Sequence, residues 1–206
     1  MIYLVRHGQT KWNKGGVFRG HKDIPLDSYG LKQAEYVAEY LKEANIYKIF
    51  SSPLSRATQT ADAITKATKK EIEIVDGLID LHFGKWEGHE IDWVIKNDPW
   101  NYHLYRKEPE KALFPEGESL ASCLERSYRT FYSLVEKYQD NIVIVTHRVI
   151  IKMILIGVLG LSLNAFWQIH IDTCSTTEIT QKNMHFVIRK MNNTCHLNDN
   201  ELKPDF

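Results

Sequence analysis

Ile142-Val143-Ile144-Val145-Thr146-His147 decides the fold: four consecutive β-branched apolar residues run into a threonine and a histidine. A short apolar run without polar alternation marks a strand covered on both faces, which is the habit of parallel sheets. Residues 2–5, Ile-Tyr-Leu-Val, repeat the pattern and lead directly into Arg6-His7-Gly8. Residues 48–50 and 72–75 read as two further strands. Residues 173–180 and 185–189 read as a closing pair with Asn183 in the turn between them. Helical spacing fills the intervals. Leu31, Ala34, Val37, Ala38 and Leu41 form one stripe, with Asp27 or Ser28 to cap its start. Ala57, Ala61 and Ile64 lie on a helix beginning near Ser55; Leu120, Leu124, Tyr128, Phe131 and Leu134 mark a long third, and residues 149–159 a more buried fourth. Strands alternating with helices predict an α/β sandwich around a mainly parallel sheet with an antiparallel edge strand.

The chain of 206 residues reads as one domain without linker or internal repeat, able to bury roughly 70% of its unfolded surface. Residues 86–115 differ from the rest: Trp, Tyr, Pro and charges without clean periodicity, read as a lid or cap. The 26 Lys and Arg balance the 26 Asp and Glu. Such a balance supplies no field for nucleic acid or an anionic membrane, so neither is expected as a partner. Cys123, Cys174 and Cys195 are odd in number and widely spaced, which suggests neither a disulfide framework nor a zinc site. The opening MIYLVRHG lacks a signal-peptide core, and residues 149–161 are too few to span a bilayer. A reduced, cytoplasmic protein is expected.

The chemistry gathers where strands end. Ligands of open α/β sheets bind beyond the carboxyl ends of the strands, where this sequence sets Arg6-His7 and His147. Arg56 falls in the first turn of the helix after the strand at residues 48–50, and free N–H groups with a guanidinium fork favour a phosphate. Two histidines and two arginines thus converge.

The stretch LVRHGQTKWN (residues 4–13) resembles the opening of the histidine phosphatase superfamily, in its phosphoglycerate mutase-like branch. The likeness continues in order through GHKDIPLDSYGLKQA (20–34), SSPLSRATQTA (51–61), HFGKWEG (82–88), PEGES (115–119) and VTHR (145–148). The resemblance implies a three-layer α/β/α sandwich, and His7 as the nucleophile that takes up a phosphoryl group. It implies further that Arg6, Arg56 and His147 form the phosphate pocket and that Asn13 contacts phosphate. No metal or other cofactor is implied, since fixed cations would neutralise the transferring group. A leaving alkoxide needs a proton. Aligned on His82-Phe83-Gly84, the family's acid position falls on Asp80, where a glutamate is usual; Glu87 stands in reserve.

Other departures bear on the reaction. Phe83 replaces the tyrosine of mutase members, and their paired-arginine insertion is shorter here, with Arg106 and Lys107 the nearest cations. Most relatives have glycine after the second histidine, where this chain has Arg148. Hydrolysis of a small phosphorylated metabolite is therefore expected, with a mutase or a non-catalytic phospholigand binder as alternatives. The stretch FWQIHIDTCSTTEI (166–179) looks like relatives that are α-ribazole or broad-specificity phosphatases, and the resemblance leaves a homodimer open. The remaining histidines, at 21, 82, 89, 103, 170, 185 and 196, lack metal-site spacing and read as structural. Trp86, Trp93, Trp100, Tyr102 and Tyr105 fit a cleft lining and plain packing equally well.

Overall fold

A computed structural model describes residues 1–182 and 185–197. The strands are β1 (Ile2–Arg6), β2 (Lys48–Ser51), β3 (Ile72–Ile74), β4 (Ile142–Thr146), β5 (Thr176–Lys182) and β6 (His185–Asn193). The helices are α1 (Lys11–Lys14), α2 (Ser28–Leu41), α3 (Ser55–Thr68), α4 (Ile91–Asn97), α5 (Pro99–Lys107), α6 (Leu120–Lys137) and α7 (Arg148–Leu159). One sheet has the order β3-β2-β4-β1-β5-β6. Its first four strands are parallel; β5 is antiparallel to both β1 and β6. The reversed strand thus lies one place in from the edge and is covered by β6. The expected turn at Asn183 lies outside the described residues.

Alternation along the strands separates two cores. Ile2, Leu4, Phe50, Ile142 and Ile144 face one way, with Phe131 of α6 and the apolar residues of α7. Val5, Ile49, Val143 and Val145 face the other, with Val37 and Leu41 of α2 and Ala57, Ala61 and Ile64 of α3. Every residue of β4 is buried, as its unbroken apolar run requires. Helices therefore cover both faces: the sandwich has three layers. Asp27, and not Ser28, caps α2, accepting from the N–H groups of Tyr29 and Gly30 at 2.9 Å.

Residues 86–115 hold two short helices, α4 and α5, which meet at Asp98-Pro99. A proline at the first helical position sacrifices no hydrogen bond. Asp98 binds Trp86 Nε1 through Oδ2 (2.9 Å), tying the junction to the core. Trp86 is itself buried against Phe18, Tyr105 and Phe114, edge to face at centroid distances of 5.0–6.0 Å. Trp93 and Trp100 are exposed and stack on His89 and His103. Among the described residues no helix is long and apolar enough to cross a membrane.

Candidate active site

Strand register brings the two histidines together. Arg6 pairs with Thr146 at the carboxyl ends of β1 and β4, and His7 N donates to Thr146 O at 2.9 Å, so the residues that follow emerge side by side. The His7 and His147 rings lie 5.2 Å apart between centroids. On the other flank of β4, Ser52 N donates to Val145 O, which sets Ser52 beside His147.

Each ring is held in one tautomer. His7 Nδ1 lies 2.7 Å from Gly8 O. A carbonyl only accepts, so Nδ1 carries the hydrogen and Nε2 keeps its lone pair. Arg56 Nε donates to His147 Nδ1 at 3.2 Å, which leaves the ring hydrogen on Nε2, 2.7 Å from Ser52 Oγ. Burial, joined by the field of Arg56, the second imidazole, Arg6 and Arg19, pushes the His7 pKa well below the ordinary histidine value. Burial does the same to His147. Both imidazoles are neutral at neutral pH.

Arg56 is fully buried in the first turn of α3. Its Nη1 donates to Lys22 O (2.9 Å) and its Nη2 to Gly20 O (2.8 Å) and Asp80 Oδ2 (3.1 Å). Asp23 fastens the same loop to α3, accepting from Ser55 N at 2.7 Å and Ser55 Oγ at 2.6 Å. Burial works to raise the Asp80 pKa, but His147, Arg56, Arg19 and the Leu81 N–H together hold it below the usual carboxylate value. Asp80 Oδ2 also stands 3.7 Å from His147 Nδ1.

The loop carrying His7 depends on a close backbone approach. A Cβ on Gly8 would lie 2.5 Å from Gly30 O, and one on Gly30 would lie 2.1 Å from Gln9 O. Only two glycines allow the first turn of α2 to press on this loop.

A cleft opens over these groups, lined by His7, Arg19 and Asp80 at one end and by Tyr105, Arg106 and Arg148 among others. Phe83, Tyr102 and Trp167 also line it. Of the five aromatics singled out in the sequence, Tyr102 and Tyr105 reach the cleft lining; Trp86 does not. Arg6 is buried behind the site, with Nη1 on Ile171 O (2.8 Å). Asn13, like Arg6, Arg56 and His147, is not among the cleft-lining residues; its Oδ1 accepts from Thr10 N and Thr10 Oγ at 2.7 and 2.8 Å, closing the turn into α1. Glu87 is also not among the lining residues. Its carboxylate accepts from His21 N (2.9 Å) and Phe83 N (3.0 Å), which binds two loops together. Sequence reading passed over Arg19 and Ser52. The signal for Arg19 was adjacency to Gly20, whose φ of +50° turns the chain toward the site. Among the described residues no cluster of three or more His, Cys, Asp or Glu is placed to hold a metal ion.

A profile of the histidine phosphatase superfamily (branch 1) matches residues 2–194. The chain belongs to that superfamily. This histidine phosphatase is 34% identical over 200 residues to phosphoserine phosphatase 1 of Hydrogenobacter thermophilus, with 96% of this chain and 94% of the relative covered. It is 31% identical to the Proteus mirabilis protein named "Probable phosphoglycerate mutase GpmB", covering 96% and 95% of the two chains. A crystal structure of an Entamoeba histolytica phosphoserine phosphatase mutant with phosphoserine superimposes with a TM-score of 0.87 at 31% identity. There 95% of this chain and 98% of the other are covered.

Proposed function

We propose that this histidine phosphatase hydrolyses small phosphate monoesters by way of a phosphohistidine on His7. The supporting observation is a buried neutral His7, whose Nε2 keeps its lone pair, beside His147 and Arg56, with His7 and Asp80 both on the lining of one cleft. In the first step the Nε2 lone pair bonds to phosphorus while the ester P–O bond breaks. The leaving oxygen takes a proton from Asp80. In the second step water attacks phosphorus, Asp80 accepts the water proton, and the P–N bond breaks to release phosphate and restore His7. Arg6, Arg19 and Arg56 stabilise the charge on the non-bridging oxygens, and His147, accepting from Arg56 and donating to Ser52, holds Arg56 in place.

Asp80 is ionised in the free site, so its proton must arrive with the substrate. Phosphate monoesters have a second pKa near 6 and bring a proton as the monoanion. The same phosphate competes for Arg56, which helps to hold the Asp80 pKa down, and so favours transfer of that proton to the carboxyl. Asn13 supports the His7 loop in this reading, and Glu87 supports the fold around Phe83. The segment carrying α4 and α5 acts as a lid over the cleft.

Phe83 disfavours the mutase reading. It lies among Phe18, Tyr105 and Phe114 at centroid distances of 5.0–6.1 Å and has no hydroxyl to hold a second phosphate. The test is phosphate release from p-nitrophenyl phosphate, with an acid-labile phosphoenzyme trapped by rapid quench. His7→Ala removes both signals while the melting transition persists. Turnover at the wild-type rate by that variant removes the nucleophile assignment.

A further inference from the structure

We infer that Arg126, paired with Glu118, is a positioning residue for the proton donor: from α6 it grips the backbone that carries Asp80 and so sets where that carboxyl stands. The inference deepens the phosphatase reading and rests on it, since Asp80 is the donor assigned there.

Between the turn at residues 76–78 and Gly84 the chain has neither strand nor helix, so no ladder fixes its path. Its carbonyls are held by side chains instead. Arg126 Nη1 donates to Gly77 O and to Ile79 O, both at 2.9 Å, and its Nη2 donates to Asp80 O at 3.4 Å. Thr146 Oγ1 takes Leu78 O at 2.7 Å, and His21 Nε2 donates to Asp80 O at 2.9 Å. Every carbonyl from residue 77 to residue 80 is thus captured from outside the segment, and a shift of the segment would break several of these bonds at once. The fit at α6 is close: a Cβ on Gly77 would lie 2.1 Å from Thr130 Oγ1.

Glu118 fixes the guanidinium in turn. Its Oε1 accepts from Arg126 Nη2 and its Oε2 from Arg126 Nε at 3.3 Å, a forked pairing that only arginine offers. The same Oε1 accepts from His82 N at 3.1 Å, and Glu118 N donates to His82 O at 3.0 Å. One ion pair therefore holds the chain on both sides of Asp80. The carboxyl of an aspartate stands only two bonds from its Cα, and here Leu81 N (2.9 Å) and Arg56 engage its two oxygens. Backbone displacement therefore passes almost undiminished to the oxygen that must reach the leaving group. Neither Arg126 nor Glu118 lines the cleft, so both act through Asp80.

Arg126→Lys keeps the charge beside Glu118 but offers one nitrogen in place of three. Misplacing a reacting group by about 1 Å costs about a hundredfold. The variant should therefore lose about ten- to a hundredfold in kcat on phosphoserine, an alkyl ester, with KM little changed. On p-nitrophenyl phosphate, whose leaving group needs no proton, it should stay close to wild type. Glu118→Gln keeps an acceptor for His82 N and should show the same selective loss in smaller measure; it carries the test alone if Arg126→Lys does not fold. In the Asp80→Asn background either substitution should add almost nothing on phosphoserine. Equal losses on the two esters, no loss on either, or a loss that persists undiminished beside Asp80→Asn overturns the positioning role and leaves His7-dependent turnover standing. Wild-type cleavage of the aryl ester but of no alkyl ester also overturns it, because no placed donor is then in use. Failure of the wild type to release phosphate from any ester removes both readings.

Discussion

Replacing Asp80 by asparagine separates the proton donor from the rest of the site. The free carboxylate receives Arg56 Nη2 at 3.1 Å, with His147 Nδ1 3.7 Å away. At an effective dielectric near 20, each unit of charge on a phosphate about 5 Å away contributes roughly 3 kcal/mol in favour of protonated Asp80. Substrate binding can thus convert an ionised carboxylate into a donor. General acids of this kind contribute about a hundredfold to ten-thousandfold. Asp80→Asn therefore loses that factor on phosphoserine, whose alkoxide cannot leave unprotonated. It loses about tenfold at most on p-nitrophenyl phosphate, whose phenolate needs no proton. Folding suffers less. Arg56 keeps Gly20 O and Lys22 O, so the missing charge-assisted bond costs about 2 kcal/mol, or about 4–8 °C in Tm. Because the folded Asp80 pKa is depressed, its contribution is present above the unfolded value and is lost as pH falls through the folded one. The Tm gap between wild type and Asp80→Asn should accordingly narrow below about pH 4. The assay is kcat/KM on both esters beside thermal melting. Equal losses on the two would show that the proton comes from elsewhere.

Arg56→Ala should lower kcat by at least about a hundredfold on either ester, the scale for one preorganised donor, and steady-state kinetics at saturating substrate read it directly. His7 and His147 are both buried and neutral, with depressed pKa values, so the unfolded chain binds more protons than the folded one below about pH 6.5. Stability should then fall with decreasing pH by about 1.4 kcal/mol per unit for each ring. Urea titrations at pH 7 and 5.5 test this, and His7→Ala should lose one ring's share of the slope, with His147 and the partly buried His196 supplying the rest. Gly30→Ala sets a methyl 2.1 Å from Gln9 O, so α2 must move off the His7 loop. A loss of about 2–4 kcal/mol by denaturant melts, together with reduced turnover, is expected.

The legible part of the fold was what periodicity encodes. The uniform run at residues 142–145 told of burial on both sides, and β4 is buried throughout. The stripes of α2 and α3 were visible for the same reason. The helices within residues 86–115 were not, because α4 and α5 are seven and nine residues long, too short to display a stripe. The closing strands were misjudged at their ends. Cys174, with φ of +52°, turns the chain before β5 begins at Thr176, and no residue type announces that. At the site, the approach of His7, His147 and Arg56 to one another was legible because each follows a strand end, whereas Asp80 entered only through the resemblance aligned on His82-Phe83-Gly84. Arg19 and Ser52 were not, since their contribution depends on which loops fold over the sheet. For Asn13 and Glu87, side-chain identity did not announce the bonds they make, to Thr10 in one case and to His21 N and Phe83 N in the other.

The bond from His7 Nδ1 to Gly8 O has a consequence for how this site can change over generations. Where a histidine is oriented by a carboxylate, one codon change alters its basicity and its aim together. Here the orienting acceptor belongs to the main chain, which every amino acid supplies alike. Mutation can eliminate the imidazole, but tuning must come from how dry the surroundings are and how many guanidinium groups look on. Divergence in catalytic pH among descendants of this chain would therefore be written in residues 6, 19 and 56 and in the overlying helices, with the nucleophile's own hydrogen bond unchanged.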